Sequence, residues 1–255
     1  MLQQPTLQLL HELRLPGMAA ALEEQQGMPD LRELAFEERL ALLLQREKSE
    51  RADRRFQRLL GQAKLRLDAV PEDVDFRKAR GLDRSLVLRL MSCEWICQGQ
   101  SLLITGATGS GKSYLACALG HQACRHGLSV RYFRLSRLLG DLTLARADGS
   151  YAKLLQRLAR AQLLILDDWG LAGLDDLGRR DLLEILDDRY GRRATLVTSQ
   201  LPVEHWHEIV GDATFGDAIL DRMVHNAHRI TLKGGSMRRV YDSTKDPDTD
   251  NNSTD

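Results

Sequence analysis

The stretch LLITGATGSGKSYLACAL, residues 102–119, decides the fold of this chain. Its apolar start is typical of a buried strand, and residues 112–122 form a helical pattern in which Gly120 is the one breaker. Between them lies the spacing G-x-x-x-x-G-K-[ST], which binds phosphate groups when a strand precedes it and a helix follows. The stretch therefore predicts a nucleotide site between a strand and a helix.

The residues expected to surround the phosphates lie in the turn and at the start of the helix. They are Gly106, Thr108, Gly109, Ser110, Gly111, Lys112 and Ser113. Backbone N–H groups of such a loop point at the phosphates, and the helix N-terminus adds partial positive charge. We expect Lys112 to reach the β- and γ-phosphates and the Ser113 hydroxyl to ligate Mg²⁺. The alternative is a glycine-rich turn that matches the spacing by chance.

A second apolar run, LLILDDWG at residues 163–170, contains two consecutive acids. A buried strand of this kind delivers a carboxylate to its carboxyl end, where ligands bind in open α/β sheets. Asp167 is then expected to hold Mg²⁺ together with Ser113, and Asp168 to orient or polarise an attacking water. The alternative for Asp168 is that it only caps the following turn.

Two later segments offer further polar groups. The run LVTSQLP is an apolar strand that ends in Ser199 and Gln200. If it lies beside the phosphate-loop strand, either residue can contact the γ-phosphate or the water, and a plain polar strand end is the alternative. Arg222 falls in a predicted short helix, where it is either an arginine finger for a neighbouring subunit's ATP or part of an intramolecular ion pair with Asp221 or Asp217.

Composition limits the classes of protein to consider. The 255 residues include 36 basic and 36 acidic side chains, so any nucleic-acid binding must come from a local patch. The sequence has no run of 18 apolar residues and no charged-then-apolar leader. We therefore expect a soluble, cytoplasmic protein without a membrane partner.

The cysteines and paired histidines do not form a recognised metal motif. The four cysteines lack C-x-x-C spacing and are expected to be reduced core thiols: Cys93, Cys97, Cys117 and Cys124. His205 and His207 flank Trp206, and the absence of an acid at ligand spacing favours a helix face or core packing over a metal site.

The N-terminal quarter is predicted to be helical. Residues 5–67 have helical apolar spacing with a break at 27–30. Residues 46–66 carry eight basic and three acidic side chains, a local excess of five positive charges. Such a run is often only a solvated helix face. Residues 68–82 contain Pro71 and Gly81, lack periodicity, and are the predicted linker.

From about residue 83, strand-like and helical segments alternate. This alternation predicts a parallel sheet with helices on both faces. The strand-like runs are 101–105, 129–133, 163–167, 194–198 and 228–232. Because the second run lies between the two nucleotide motifs, the order is that of ATPases with an additional strand rather than of small-nucleotide kinases. The polar, acidic end of the chain is predicted to be disordered.

Several segments together resemble one family. They are FEERLALLLQRE, GLDRS, the phosphate-loop stretch, RADGSYAKLL, LLILDDWGL, RRDLLEILDDRYG, TLVTSQLP and AILDRMVHNAHRITLKGGSMR. The chain from about residue 5 to 240 closely resembles the IstB family of transposition helper ATPases. These are AAA+ proteins encoded beside a transposase in bacterial insertion sequences, and they are related to DnaC helicase loaders.

The resemblance implies an α/β fold: an AAA+ P-loop NTPase with a parallel central sheet flanked by helices, preceded by a small all-helical domain. The implied limits are a DNA- or partner-binding domain at 1–67, a linker at 68–82, the ATPase domain at 83–240 and an acidic tail at 241–255. The 23 residues after Leu232 are too few for the helical lid of many AAA+ proteins. Arg238 is left without a clear role as a sensor.

The family relationship also implies a function. We expect a homo-oligomer that assembles on duplex DNA with ATP and Mg²⁺, bends the DNA and delivers it to a cognate transposase, associated with the nucleoid when active. Gln200 falls where the first sensor is expected, Arg222 at the finger acting in trans, and Asp168 at the catalytic glutamate of many AAA+ proteins. Because aspartate is one methylene shorter than glutamate, we expect slow, regulated hydrolysis. The family relationship implies that DNA stimulates it.

The resemblance favours the basic segment at 46–66 as a DNA-binding surface, because in an oligomer its weak phosphate contacts repeat in every subunit. The expected contact residues are Arg51, Arg54, Arg55 and Arg58. Three alternatives remain: a DnaC-like helicase loader, which predicts a preference for single strands; a nucleotide-gated adaptor that does not hydrolyse ATP; and, more distantly, a small-molecule kinase.

Overall fold

The computed structural model describes residues 3–28, 31, 33–76 and 81–234. The chain forms two compact units that divide between Leu59 and Leu60, inside a helix. The segment 241–255, predicted to be a disordered tail, lies outside the described residues, as does Arg238.

The first unit is helical, as expected. Its helices are α1 (Gln3–Glu12), α2 (Pro16–Gly27) and α3 (Phe36–Ala63), the last of which continues into the second unit. The predicted break after residue 27 is present. A second break, which the spacing did not indicate, follows α1, where Arg14 adopts a left-handed backbone with φ of 58°. A residue in the left-handed region cannot continue a right-handed helix, so α1 ends here. The conformation is uncommon for a non-glycine residue because its Cβ crowds the backbone.

The start of α2 is closed by a side chain from α3. The buried Glu47 carboxylate accepts the backbone N–H groups of Gly17 at 2.8 Å and Met18 at 3.2 Å. Leu15, the residue before the helix, provides no side-chain cap, so Glu47 fills that role. A Cβ on Gly17 would lie 2.8 Å from the Glu47 Cα, so glycine permits this close crossing.

The second unit alternates strands and helices. Its strands are β1 (Ser101–Gly106), β2 (Val130–Arg134), β3 (Leu163–Trp169), β4 (Ala194–Ser199) and β5 (Ala227–Leu232). Its helices are α4 (Arg84–Met91), α5 (Glu94–Cys97), α6 (Lys112–Arg125), α7 (Leu135–Ala147), α8 (Tyr151–Arg160), α9 (Asp176–Arg189), α10 (Trp206–Val210) and α11 (Ala213–Val224). All five predicted strands are therefore confirmed to within two residues.

The sheet has the order β2-β3-β4-β1-β5, and all its strands are parallel. Leu102 of β1 pairs with Leu196 of β4 on one side and with His228 of β5 on the other. Because β4 separates β1 from β3, the expected additional strand is present. The phosphate loop and the two acids consequently lie at the same edge, where β1 and β3 end.

The core lies on both faces of the sheet. Apolar runs in β1, β3 and β4 are buried almost throughout, as parallel strands covered by helices require. Trp169 at the end of β3 packs against the fully buried Trp206, with ring centroids 5.2 Å apart. Trp206 is thus a core residue, and of its two flanking histidines His207 lies 3.2 Å from Asp217. No helix in the described ranges is both long and apolar enough to cross a bilayer.

Three of the four cysteines are buried, and Cys97 is exposed. Burial raises the pKa of Cys93 to about 12 and that of Cys124 to about 11, so both thiols stay protonated at neutral pH. These side chains behave as small apolar core groups.

The described residues of the predicted linker, 68–76 and 81–82, belong to the second unit. Ala69 and Val74 are buried, and a 3-10 turn at Pro71–Asp73 lies between them. Glu72 forms an ion pair with Arg125 of α6. The lack of periodicity in this segment therefore reflects an irregular but packed connection.

Candidate nucleotide site

The phosphate loop joins β1 to α6 as the sequence motif predicts. Gly106 has φ of 148°, and a Cβ on it would lie 2.4 Å from the carbonyl oxygen of Leu232 in β5. Gly111 has φ of 96° directly before α6. Both positions require glycine, the first for space and the second for its backbone conformation. Gly106 thus lets the end of β1 lie close against β5, and Gly111 lets the chain turn into α6.

Lys112 and Ser110 face the inside of this loop. The Lys112 ammonium is buried and donates to the carbonyl oxygens of Gly106 at 2.7 Å and Ala107 at 2.9 Å. The buried Ser110 hydroxyl has no hydrogen-bond partner among the described residues. A buried polar group left in this way is costly, which is consistent with a loop built around a polar ligand.

Asp167 is the most enclosed acid of the site. Its carboxylate is fully buried and accepts hydrogen bonds from Ser113 at 2.9 Å, from Tyr132 at 2.5 Å and from Thr198. Burial and then the bond to Asp167 raise the pKa of Tyr132, which therefore remains a donor. The structure thus brings the two expected magnesium ligands, Ser113 and Asp167, into direct contact.

Asp168 has an unusual backbone. Its φ is 64°, and it lies in a register shift between β3 and β4 that spans Leu166 and Trp169. Its amide donates to the Thr198 hydroxyl at 3.2 Å. A non-glycine residue in the left-handed region costs conformational energy and often marks a functional position. Strained backbone here turns the Asp168 side chain out of the regular strand alternation.

The Asp168 carboxylate lies near two arginines. Its Oδ2 atom is 3.7 Å from Arg66 Nη1 and 3.6 Å from Arg134 Nε. The following helix, α9, is capped by Asp175, which accepts the Gly178 amide at 2.8 Å. The Asp168 carboxylate thus lies against two cations, and the cap of the following helix is supplied by Asp175.

At the end of β4, Gln200 and Ser199 have different surroundings. Because β4 pairs with β1, the end of the strand lies next to the phosphate loop. The side-chain oxygen Oε1 of Gln200 accepts a hydrogen bond from the Thr108 hydroxyl of that loop at 2.7 Å. Ser199 is buried, and its hydroxyl donates to the Trp169 carbonyl at 2.9 Å. Of the two residues, Gln200 is the one that contacts the loop.

Arg222 lies at the opposite edge of the sheet. It lines a cavity of about 280 Å³ together with Ser101 and Thr195, which stand at the amino ends of β1 and β4. The length of β1, roughly 17 Å for six residues, separates this edge from the phosphate loop of the same chain. Arg222 pairs with Asp187 at 2.6 Å and lies 3.7 Å from Asp221.

The family described as IstB-like ATP binding protein matches residues 8–244. The chain belongs to this family. An insertion sequence ATP-binding protein of Sinorhizobium fredii is 56% identical over 239 residues, 94% of this chain and 98% of that protein. The insertion sequence IS21 ATP-binding protein of Pseudomonas aeruginosa is 30% identical over 230 residues, 90% of this chain and 87% of that protein.

Solved structures agree with this IstB-like assignment at the level of the fold. A DnaI structure superposes with a TM-score of 0.57 at 20% identity, covering 69% of this chain and 94% of that one. The DnaC helicase loader superposes with a TM-score of 0.52 at 20% identity, covering 58% and 87%. The second unit therefore has the AAA+ P-loop fold of these proteins.

The donor set of the IstB-like site fits a nucleotide with Mg²⁺. A serine hydroxyl and a carboxylate are the hard oxygen ligands that Mg²⁺ prefers, and Ser113 and Asp167 supply them. The orphaned Ser110 hydroxyl inside the loop suits an oxygen of a triphosphate. The residues present are thus those needed to hold both groups.

Sequence motifs did not identify four residues that surround the two acids. They are Arg66, Tyr132, Arg134 and Thr198. Thr198 and Arg134 end apolar strands at the same edge as Asp167, and this position is a signal that could have indicated them. Arg66 lies beyond α3, and only the folded chain brings it to β3.

The basic residues of α3 have partners within the helix and its unit. Arg51 Nε lies 2.7 Å from Glu47 Oε1, and Arg54 Nη2 lies 3.8 Å from the same atom. Arg55 and Arg58 are exposed on the same helix. All four side chains that were expected to contact DNA are therefore accessible, although two are partly neutralised by Glu47.

Proposed function

We propose that this protein is an ATP-hydrolysing transposition helper that assembles on duplex DNA, remodels it and delivers it to a partner transposase. The observation that carries the proposal is the arrangement of Ser113, Asp167 and Asp168 at one edge of the sheet, with Arg222 at the other. Membership of the IstB-like family and the names of the insertion sequence relatives support the biological role.

The residues of the nucleotide site have distinct roles in the proposed hydrolysis. Lys112 and the loop amides bind the phosphates, and Ser113 with Asp167 hold Mg²⁺, which neutralises developing charge when it is bound. Asp168 accepts a hydrogen bond from the attacking water and orients it. It takes up the proton of the water as the water oxygen bonds to the γ-phosphorus and the bond from that phosphorus to the β–γ bridging oxygen breaks, which releases ADP and phosphate. Gln200, whose side chain accepts a hydrogen bond from Thr108 of the loop, contacts the γ-phosphate or the attacking water in this proposal.

The position of Arg222 favours an oligomer. An arginine finger is worth about 10³ to 10⁵ in rate, but this arginine lies at the amino edge of its own sheet. It can therefore serve only a site that another subunit presents to that edge. Head-to-tail contacts of this kind produce rings or open filaments. Assembly on DNA would then switch on hydrolysis.

The basic face of α3 supports DNA as the assembly template. Residues 46–63, the second half of α3, carry six basic and three acidic side chains, and an oligomer repeats this net charge of +3 once per subunit along one duplex. Contacts of this type act on phosphates, so target choice would rest on DNA deformability rather than on base reading.

Light scattering tests the proposal. The mass of the protein is measured with ATP or ADP in the presence of long duplex DNA or single-stranded DNA of equal length. Large assemblies that form only with ATP and duplex support a transposition helper, and addition of the cognate transposase should then yield a ternary complex. The absence of assembly under all four conditions would contradict the proposal.

A helicase loader is the second candidate, because the ATPase unit shares its fold with the DnaC loader. It predicts assembly on single strands in the same experiment. A non-hydrolysing adaptor predicts assembly with ATP on duplex DNA but no release of phosphate. Measurement of phosphate release together with mass therefore distinguishes the transposition helper, the helicase loader and the adaptor.

A further inference from the structure

The C-terminal end of α9 is fixed by a buried arginine. The Arg189 side chain is 1% exposed and donates to the carbonyl oxygens of Leu158 at 2.5 Å and Ala161 at 2.8 Å, and to that of Ala194. Its Nε also donates to the Thr195 hydroxyl at 3.1 Å. A planar guanidinium with several acceptors in fixed directions holds its backbone firmly in place. The last turn of α9 is thereby anchored to α8 and β4.

Asp187 stands two residues earlier on the exposed side of the same turn. Its Oδ1 atom accepts a hydrogen bond from Arg222 Nε at 2.6 Å. Arg222 Nη1 donates to the Ala218 carbonyl at 3.1 Å, one turn back along α11. The guanidinium is thus held at two of its nitrogen atoms by groups on two different helices. Its side chain remains 32% exposed and lines the cavity at the amino edge of the sheet.

We infer that Asp187 is a positioning residue for Arg222, and that it holds the guanidinium ready for the nucleotide of a neighbouring subunit. This inference rests on the proposed function, since it requires Arg222 to act in trans. An arginine side chain loses much rotational freedom when it is fixed, and the Asp187 bond fixes it before the neighbour binds. Catalytic groups displaced by about 1 Å can lose about 10²-fold in rate.

The acids next to Arg222 and Asp187 in the sequence do not provide the contact that Asp187 makes with Arg222. Asp221 lies 3.7 Å from Arg222 Nη1, too far for a hydrogen bond, and it is on the same helix as the arginine. Asp188 follows Asp187 on α9 and is also exposed. Substitution of Asp188 removes the same charge from the same turn. It is therefore the matched control for any general electrostatic effect.

Single variants provide the first readout. ATP turnover is measured on DNA-bound oligomers of the full chain, with nucleotide affinity measured separately. Asp187→Ala is expected to lower kcat by at least about tenfold while the nucleotide Kd stays within about twofold of wild type, because the variant's own phosphate site is intact. Asp187→Asn, which keeps an acceptor for Nε, should retain more activity than Asp187→Ala. Asp188→Ala should behave as wild type.

Mixed oligomers separate a positioning role from a folding defect. Asp168→Ala subunits should lack turnover but carry an intact Arg222, whereas Asp187→Ala subunits have an intact site of their own. Mixing the two should give more turnover than the sum of the separate proteins. A mixture of Asp187→Ala with the double variant Asp168→Ala/Asp187→Ala should show no such recovery.

The outcomes distinguish the inference from the function on which it rests. Wild-type turnover in Asp187→Ala, with Arg222→Ala inactive, would overturn the role of Asp187 and leave the finger in place. Wild-type turnover in Arg222→Ala would overturn both the finger and the inference. Failure of Asp187→Ala to recover in the mixture, when Arg222→Ala does recover, would show that Asp187 acts on its own subunit and would also overturn the inference.

Discussion

Arg66 Nη1 lies 3.7 Å from Oδ2 of Asp168, the acid that we propose orients the attacking water. Arg134 approaches the same oxygen from the end of β2, at 3.6 Å. Two guanidinium groups that face one carboxylate oxygen compete with a water molecule for its lone pairs. The arrangement therefore restrains the reactivity of Asp168, which agrees with the slow hydrolysis expected from its short side chain.

Removal of either arginine should speed basal ATP turnover. Partly exposed ion pairs of this kind are worth about 0.2–1 kcal/mol, so Arg66→Ala or Arg134→Ala is expected to raise kcat roughly one-and-a-half- to fivefold without DNA. Phosphate release at saturating ATP measures the effect. Arg137→Ala, an exposed arginine at the start of α7, is the control and should leave the rate unchanged. A fall in kcat for both variants would show that the arginines assist Asp168.

Asp168→Ala should abolish turnover while nucleotide affinity is retained. Loss of a general base typically costs about 10²- to 10⁴-fold in rate. Lys112, which we expect to bind the phosphates, lies on a different element and is unaffected by the substitution. Turnover and nucleotide binding are measured on the same preparation. Unchanged turnover would mean that Asp168 has no part in catalysis.

Lys112→Ala should lose both nucleotide binding and assembly on DNA. The ammonium lies against the Gly106 and Ala107 carbonyls, so it also shapes the loop. Nucleotide binding by fluorescence and mass by light scattering are the measurements. An oligomer that persists on duplex DNA without bound nucleotide would contradict the proposed coupling between the two.

The sheet was predictable because β1, β3 and β4 are short apolar runs bounded by polar residues, while β2 and β5 contain apolar residues that alternate with polar ones. The phosphate loop was predictable because its spacing reflects fixed backbone geometry around phosphate groups. The order of the strands in the sheet was only partly predictable from the sequence. An intervening strand between β1 and β3 could be expected from the sequence order of the motifs, while the pairing of β4 with β1 was a condition that only the structure satisfies.

Long-range contacts were the part that sequence could not provide. The sequence left two interpretations of Arg222 open, an arginine finger or an ion pair with the nearby Asp221 or Asp217. Its shortest ion pair is with Asp187, 35 residues away, whereas Asp221 lies at 3.7 Å and Asp217 lies against His207. Similarly, Arg66 reaches Asp168 from 102 positions earlier in the chain. Such pairs depend on how helices pack, which local periodicity does not encode.

Charge reversal on α3 tests the DNA surface. Arg54→Glu with Arg55→Glu changes the net charge of +3 in residues 46–63 by four units, so duplex affinity should fall and its salt dependence should weaken. Nucleotide affinity should remain unchanged. The control is Arg157→Glu with Arg160→Glu, the same change on the exposed part of α8. Equal duplex affinity of both double variants at moderate salt would count against α3 as the DNA-binding element.

The Glu47 cap makes the start of α2 sensitive to pH. Burial raises the pKa of Glu47, but hydrogen bonds from Arg51, Met18 and Gly17 outweigh burial and lower the pKa below its ordinary value of 4.5. A carboxyl with a lowered folded pKa contributes stability above its unfolded pKa, and this contribution is lost as the pH falls through the folded pKa. The cap should therefore be complete at neutral pH and should fail below pH 4.5.

Hydrogen exchange of the α2 amides measures this cap locally. Glu47→Gln keeps the shape of the side chain but weakens its bonds to Gly17 and Met18, and bonds to charged groups are worth about 1.5–3 kcal/mol. At pH 7 the α2 amides of the variant should exchange about tenfold faster than those of wild type, or more. The ratio of the two rates should shrink toward one as the pH falls below 4.5, because the wild-type carboxyl then becomes neutral as well. Asp53→Asn on the exposed side of α3 is the control, and a ratio independent of pH would exclude the charge of Glu47 as the stabilising feature.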